Sequence, residues 1–159
     1  MKIGIFGGAF NPPHLAHRQI VDFVLDNNIC NKIILMPSYI SPHKSTKDLC
    51  IAQHRLAMLK LMFAESERLE ISDFEITQEK ISYTFYTIKF LTDTILKYFA
   101  DAETIEFYII IGADNFQILD SWHRITEYPE TVKFVVFSRN NILLNNSNNL
   151  PQFYKLHRQ

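Results

Sequence analysis

Strands alternating with helices along the chain predict an α/β protein, a doubly wound parallel sheet with helices on both faces. Short β-branched or fully apolar runs recur at residues 2–6, 32–36, 69–73, 107–111 and 133–138, while apolar stripes at helical spacing fill the intervals. The first run ends on Gly7-Gly8, the second on Pro37 and the fourth on Gly112, as strands do where the backbone must turn.

Each element has its own warrant. After Asn11-Pro12-Pro13, with Pro13 suited to an opening helical turn, a first helix buries Ala16, Ile20, Phe23 and Val24 and closes at Asp26-Asn27-Asn28. Following the second strand comes a polar loop with Pro42, His43 and Lys44, then a helix whose face is Ala52, Leu56, Leu59 and Phe63. Ser82 or Thr84 can cap the next helix, which buries Ile88, Leu91, Ile95 and Phe99. Residues 107–111 are nearly continuous apolar sequence, as a parallel strand covered on both faces requires. A short helical segment at 115–119 precedes Trp122, the only tryptophan.

Composition sets the bounds. With 159 residues, 47% of them hydrophobic, the chain is long enough for one domain and too apolar for disorder. A formal net charge of -1 supplies no global field for a nucleic-acid backbone, which excludes that partner class while leaving room for a local anion pocket. Cys30 and Cys50 form neither a disulfide framework nor a zinc pattern and are expected as reduced thiols. There is no apolar run of about 18 residues and no leader-like opening, so the expected location is the cytoplasm, with no membrane association.

In doubly wound sheets, ligands bind outside the carboxyl ends of strands. At the first exit, Gly7, Gly8, Ala9 and Phe10 lead through the prolines to His14 and His17, three apart and therefore on one face of the opening turn. Unpaired N–H groups, the helix dipole and two imidazoles together describe a polyphosphate site. The alternatives are histidines that merely cap or pack the loop, or zinc, for which two ligands are too few. At the fourth exit, Gly112 allows close approach of a nucleotide, and Asp114 can accept from ribose hydroxyls or serve as a helix N-cap. Lys44 and Arg55 read by themselves as solvated surface charges.

The stretch from Gly7 to His17 resembles the HxGH-type nucleotidyltransferase superfamily, with Ala16 in place of its usual glycine. Ser41-Pro42-His43-Lys44, His54-Arg55, Ser82-Tyr83-Thr84 and Gly112-Ala113-Asp114 with Trp122 follow in the order of the bacterial nicotinate-nucleotide adenylyltransferase family. This resemblance covers residues 1–139 and implies a Rossmann-like domain that joins nicotinate mononucleotide to the AMP of ATP, with Mg²⁺, for NAD biosynthesis. It implies that His14, His17 and Lys44 are catalytic and contact phosphates. Gly7, Gly8, Ala9, Phe10, Arg55, Gly112 and Asp114 would hold ATP, and Lys44, Tyr83, Thr84 and Trp122 the mononucleotide. A helix N-terminus at residues 82–84 suits the ring carboxylate, and Trp122 can stack on the pyridine.

Residues 140–159 read as an Asn-rich, shortened tail of the same domain. Nothing after Arg139 matches the Ile-Ser-x-Thr-x-x-Arg segment that the resemblance leads one to expect. Two consequences are expected: weaker phosphate contacts, and a lost sheet edge that exposes apolar surface and favours a homo-oligomer. The competing readings are an inactive or weakly nucleotide-binding remnant of that enzyme, and a sibling such as a pantetheine-phosphate adenylyltransferase or a cytidylyltransferase.

Overall fold

The computed structural model describes residues 1–43, 45–98, 105–137 and 153–156. The strands are β1 (Lys2–Gly8), β2 (Lys32–Pro37), β3 (Leu69–Ile71), β4 (Glu106–Gly112), β5 (Val132–Phe137) and β6 (Phe153–Leu156). All pair in parallel in the order β3-β2-β1-β4-β5-β6, so the chain direction across the sheet reverses between β1 and β4. The helices are α1 (Leu15–Asp26), α2 (Ala52–Met62), α3 (Phe74–Thr77), α4 (Thr84–Tyr98) and α5 (Ala113–Gln117), with 3-10 turns at Leu119–Ser121 and Ile125–Glu127.

Side chains alternate across the strands and build two cores. Ile3, Ile5, Ile109, Ile111, Phe134 and Val136 pack with Ile88 and Leu91 of α4 and Phe116 of α5. On the opposite face Phe6, Ile33, Leu35, Ile110 and Val135 pack with Val21, Val24 and Leu25 of α1 and Leu59 of α2. Helices thus cover both faces, as the sequence predicts. Gly4 belongs to this second core, where a Cβ would meet Ile110 and Ile33 at 3.1 Å and the Cys30 sulfur at 3.2 Å. Cys30 is fully buried there, and burial pushes its thiol up to about 12.

Several local expectations are corrected. β1 continues through Gly7 and Gly8, which pair with Met36 and Pro37, because glycine does not interrupt a ladder that a neighbouring strand completes. Pro13 precedes α1 rather than opening it, and the Asn11–Pro12 peptide is cis. The buried stripe of α1 is Val21, Val24 and Leu25, leaving Phe23 38% exposed. On α2, Arg55 takes the inward position expected for Leu56. β3 stops at Ile71, and the unforeseen α3 follows it. The helix expected at residues 115–119 starts at Ala113 and ends at Gln117. The tail is corrected as well: residues 153–156 form β6, whose Tyr154 and Leu156 register with Val135 and Phe137, so the late sheet edge is present. Lys44, Phe99, the side chain of Ile95, Ser138 and the Asn-rich stretch 140–149 lie outside the described residues.

Candidate active site

The site is built from the two strand exits that flank the switch between β1 and β4. The chain leaves β1 through Ala9 and Phe10, and Phe10 takes a left-handed φ of 47°. That turn sends its ring inward, 2% exposed, between Phe6 at 5.5 Å and His17 at 4.9 Å. The Phe10 ring therefore props the loop from beneath and is buried rather than open to a ligand, unlike the contact expected of it.

His14 is the N-cap of α1, and its ring stacks on His17 with centroids 3.8 Å apart. The His14 amide donates to Nδ1 of His17 at 3.1 Å. With Nδ1 as acceptor, a neutral His17 carries its proton on Nε2. Capping and anion binding are thus compatible at this pair: one bond orders the first turn while its amide dipoles still favour a negative ligand.

Arg55 is neither a surface charge nor turned toward ATP. Its side chain is 1% exposed, and its guanidinium donates to Ala9 O at 2.6 Å, Ser38 O at 2.8 Å, Cys50 O at 2.9 Å and Tyr39 O at 3.2 Å. Four carbonyls from three segments of the chain compensate its burial, so the side chain serves as a structural tie. Asn11 adds a second tie, donating to Asp48 O at 2.8 Å and accepting the Cys50 amide at 3.0 Å.

Beside these ties lies a small cleft of about 90 Å³. It brings together Gly7, Gly8 and Ala9 of the first exit with Tyr83, Thr84 and Trp122. Its walls also hold His43, Glu75, Thr87, Asn115, His123 and Tyr128, to which sequence reasoning assigned no role. His43 sits in a motif already singled out beside Lys44; the others carry no local signal. His14, His17, Gly112 and Asp114 stand outside these walls, at the N-termini of α1 and α5.

Trp122 lines the cleft and touches the core edge-on at Phe134, and its Nε1 is buried without a hydrogen-bond partner among the described residues. A buried unpaired donor is rare, and this one calls for an acceptor from the cleft, water or ligand. Thr84 is the first residue of α4, and Tyr128 lines the same cleft with its phenol pushed up by burial. Ser82 does not cap α4; its Oγ accepts the Tyr39 amide at 3.0 Å, and the first-turn amides of Tyr86 and Thr87 reach the Tyr83 carbonyl instead. Glu75 on α3 accepts from the Thr87 hydroxyl at 2.5 Å, while burial raises its carboxyl above the ordinary range. His123 lies 4.6 Å from the Tyr83 ring. At the β4 exit Gly112, not Asp114, is the N-cap of α5; a Cβ at Gly112 would collide with the Asp114 carboxylate.

A phosphate-receptive loop and an aromatic cleft, set across the switch point of a parallel sheet, define a nucleotide-binding α/β protein. Residues 5–154 match the cytidylyltransferase-like family. A probable nicotinate-nucleotide adenylyltransferase of Aliarcobacter butzleri is 41% identical over 139 residues, covering 87% of this chain and 72% of that protein. Its counterpart in Geobacillus thermodenitrificans is 42% identical over 138 residues, of which 87% of this chain and 61% of the relative are covered. The fold matches Plasmodium falciparum nicotinic acid mononucleotide adenylyltransferase complexed with NaAD, with a TM-score of 0.76 at 20% identity, over 99% of this chain and 75% of the other. The chain belongs to the cytidylyltransferase-like family of nucleotidyltransferases and, within it, to the nicotinate-nucleotide adenylyltransferases.

Proposed function

We propose that this chain transfers AMP from ATP to nicotinate mononucleotide, giving the deamido dinucleotide and pyrophosphate for NAD biosynthesis. The observation that carries the reading is the cleft itself, which joins the glycine exit of β1 to an aromatic wall containing an unpaired indole N–H. The mononucleotide phosphate is already an anion at neutral pH, so attack on the α-phosphorus needs positioning and charge stabilisation rather than a general base. In this reading His14 and His17, with the first-turn amides of α1, receive the triphosphate, and Lys44 neutralises charge beside it. Gly7, Gly8, Ala9, Gly112 and Asp114 accommodate the adenosine moiety. Tyr83, Thr84 and Trp122 take the nicotinate ring, whose carboxylate gains from the N-terminal dipole of α4 more than a neutral amide would.

Mg²⁺ would enter with the triphosphate, because no group of three or more His, Cys, Asp or Glu side chains able to hold a metal occurs among the described residues. No described helix is long and apolar enough to cross a membrane. The chain spans 61% of several curated relatives, so activity of this length is itself under test. The test is pyrophosphate release with ATP, Mg²⁺ and nicotinate mononucleotide. Release that needs both nucleotides, and is lost in a folded His14→Ala, His17→Ala double variant, is expected. No release from the folded protein would leave a nucleotide-binding remnant, and release with phosphopantetheine instead would indicate the sibling reaction.

A further inference from the structure

The β1-exit loop and the head of α4 are not in direct contact through any of the bonds described above, yet one polar chain runs between them. Arg55 draws in the carbonyls of Ala9 and Ser38. In a planar trans peptide the C=O and N–H point oppositely, so the Ser38–Tyr39 peptide gives its oxygen to Arg55 and its N–H to Ser82 Oγ at 3.0 Å. Ser82 also donates its own amide to Ile40 O at 2.8 Å, in a parallel bridge between Ile40 and Ile81. Ser82 immediately precedes Tyr83 and the head of α4, where Thr87 in the first turn donates its hydroxyl to Glu75.

We propose that Arg55, the Ser38–Tyr39 peptide and Ser82 form one hydrogen-bonded strut that fixes the separation between the β1 exit and the head of α4. Arg55 and Ser82 are then positioning residues at its two ends. Which substrate sits at each end rests on the function proposed above; the strut itself does not. Stability alone does not call for this arrangement, since an apolar side chain at position 55 would pack without the desolvation cost of a buried cation. What the cation adds is direction, because three of its carbonyl partners lie in the two loops that border the cleft. The joining reaction depends on such spacing, and a misplacement of about 1 Å costs on the order of 100-fold in rate.

The experiment uses Ser82→Ala, a small change at one end of the strut, and Arg55→Lys at the other, both in the full chain. Amide NMR reads Phe10, whose peptide carries the Ala9 carbonyl, and Thr87 at the opposite end. Ser82→Ala is expected to shift Phe10 and Thr87 and to speed their amide exchange, while leaving the amides of β5 unchanged. In turnover it should lower kcat by about 10- to 100-fold with KM for each nucleotide nearly unchanged, and the double variant should lose no more than the worse single one. Perturbation confined to the substituted end, or additive losses of kcat, overturns the strut. Coupled amides in a protein that makes no dinucleotide would uphold the strut and reject the substrates assigned to its ends.

Discussion

The imidazole of His17 is held by three neighbours: the His14 amide on Nδ1, the His14 ring against its face and Phe10 against its edge. Such a ring is preorganised, so its contribution should appear in the transition state rather than in folding. His17→Ala is expected to lower kcat by about 100- to 1000-fold with little change in melting temperature, as steady-state turnover and thermal denaturation will test. The pair is legible in sequence because its spacing is local. Arg55 is not: its four carbonyls come from residues 9, 38, 39 and 50, and nothing in the text of a helix records that they converge. Glu75 is hidden for the same reason, and it leaves a measurable trace in pH. Burial raises its folded pKa above the ordinary 4.5. Its contribution to stability is therefore full below that value and is lost as pH rises through the raised one. Glu75→Gln should remove this loss, so the melting temperature of the wild type should fall relative to the variant as pH increases from 4 toward neutrality.

At the scale of elements, period and propensity find the helices but not always their inward faces. On α1 the sequence offers Phe23 as core, whereas the structure buries Val21, Val24 and Leu25 and leaves Phe23 edge-on to Phe137 at the margin. A stripe read from four apolar residues can turn by one position when the helix begins later than expected, and here α1 begins after His14 rather than at Pro13. Denaturant titration distinguishes the two faces. Leu25→Ala should cost about 2–5 kcal/mol as a buried leucine truncation, and Phe23→Ser should cost far less. α3 escapes sequence reading altogether, because four residues show no helical period. That short helix nonetheless carries Glu75, so the least legible element contributes one wall of the cleft.

Across the molecule, the alternation of strands and helices makes the sheet and both helical layers legible, and the Gly7-Gly8 and Gly112 exits locate the site within them. The last strand is not legible, because Phe153–Leu156 is only four residues, interrupted by Lys155, after an Asn-rich stretch, and has no pattern of its own apart from its partner β5. The pairing has a testable consequence. Tyr154→Pro removes a ladder donor, uncovers the apolar edge of β5 and should promote self-association in sedimentation experiments. The burial of Cys30 in the core beneath Gly4 gives the protein an internal clock. A thiol pushed up to about 12 and sealed from solvent cannot react with a labelling reagent while the sheet is intact, whereas the half-buried Cys50 can. Mass spectrometry should therefore record one fast adduct and one slow one, and the slow phase would time global opening of the folded state, accelerating with denaturant while the fast phase does not.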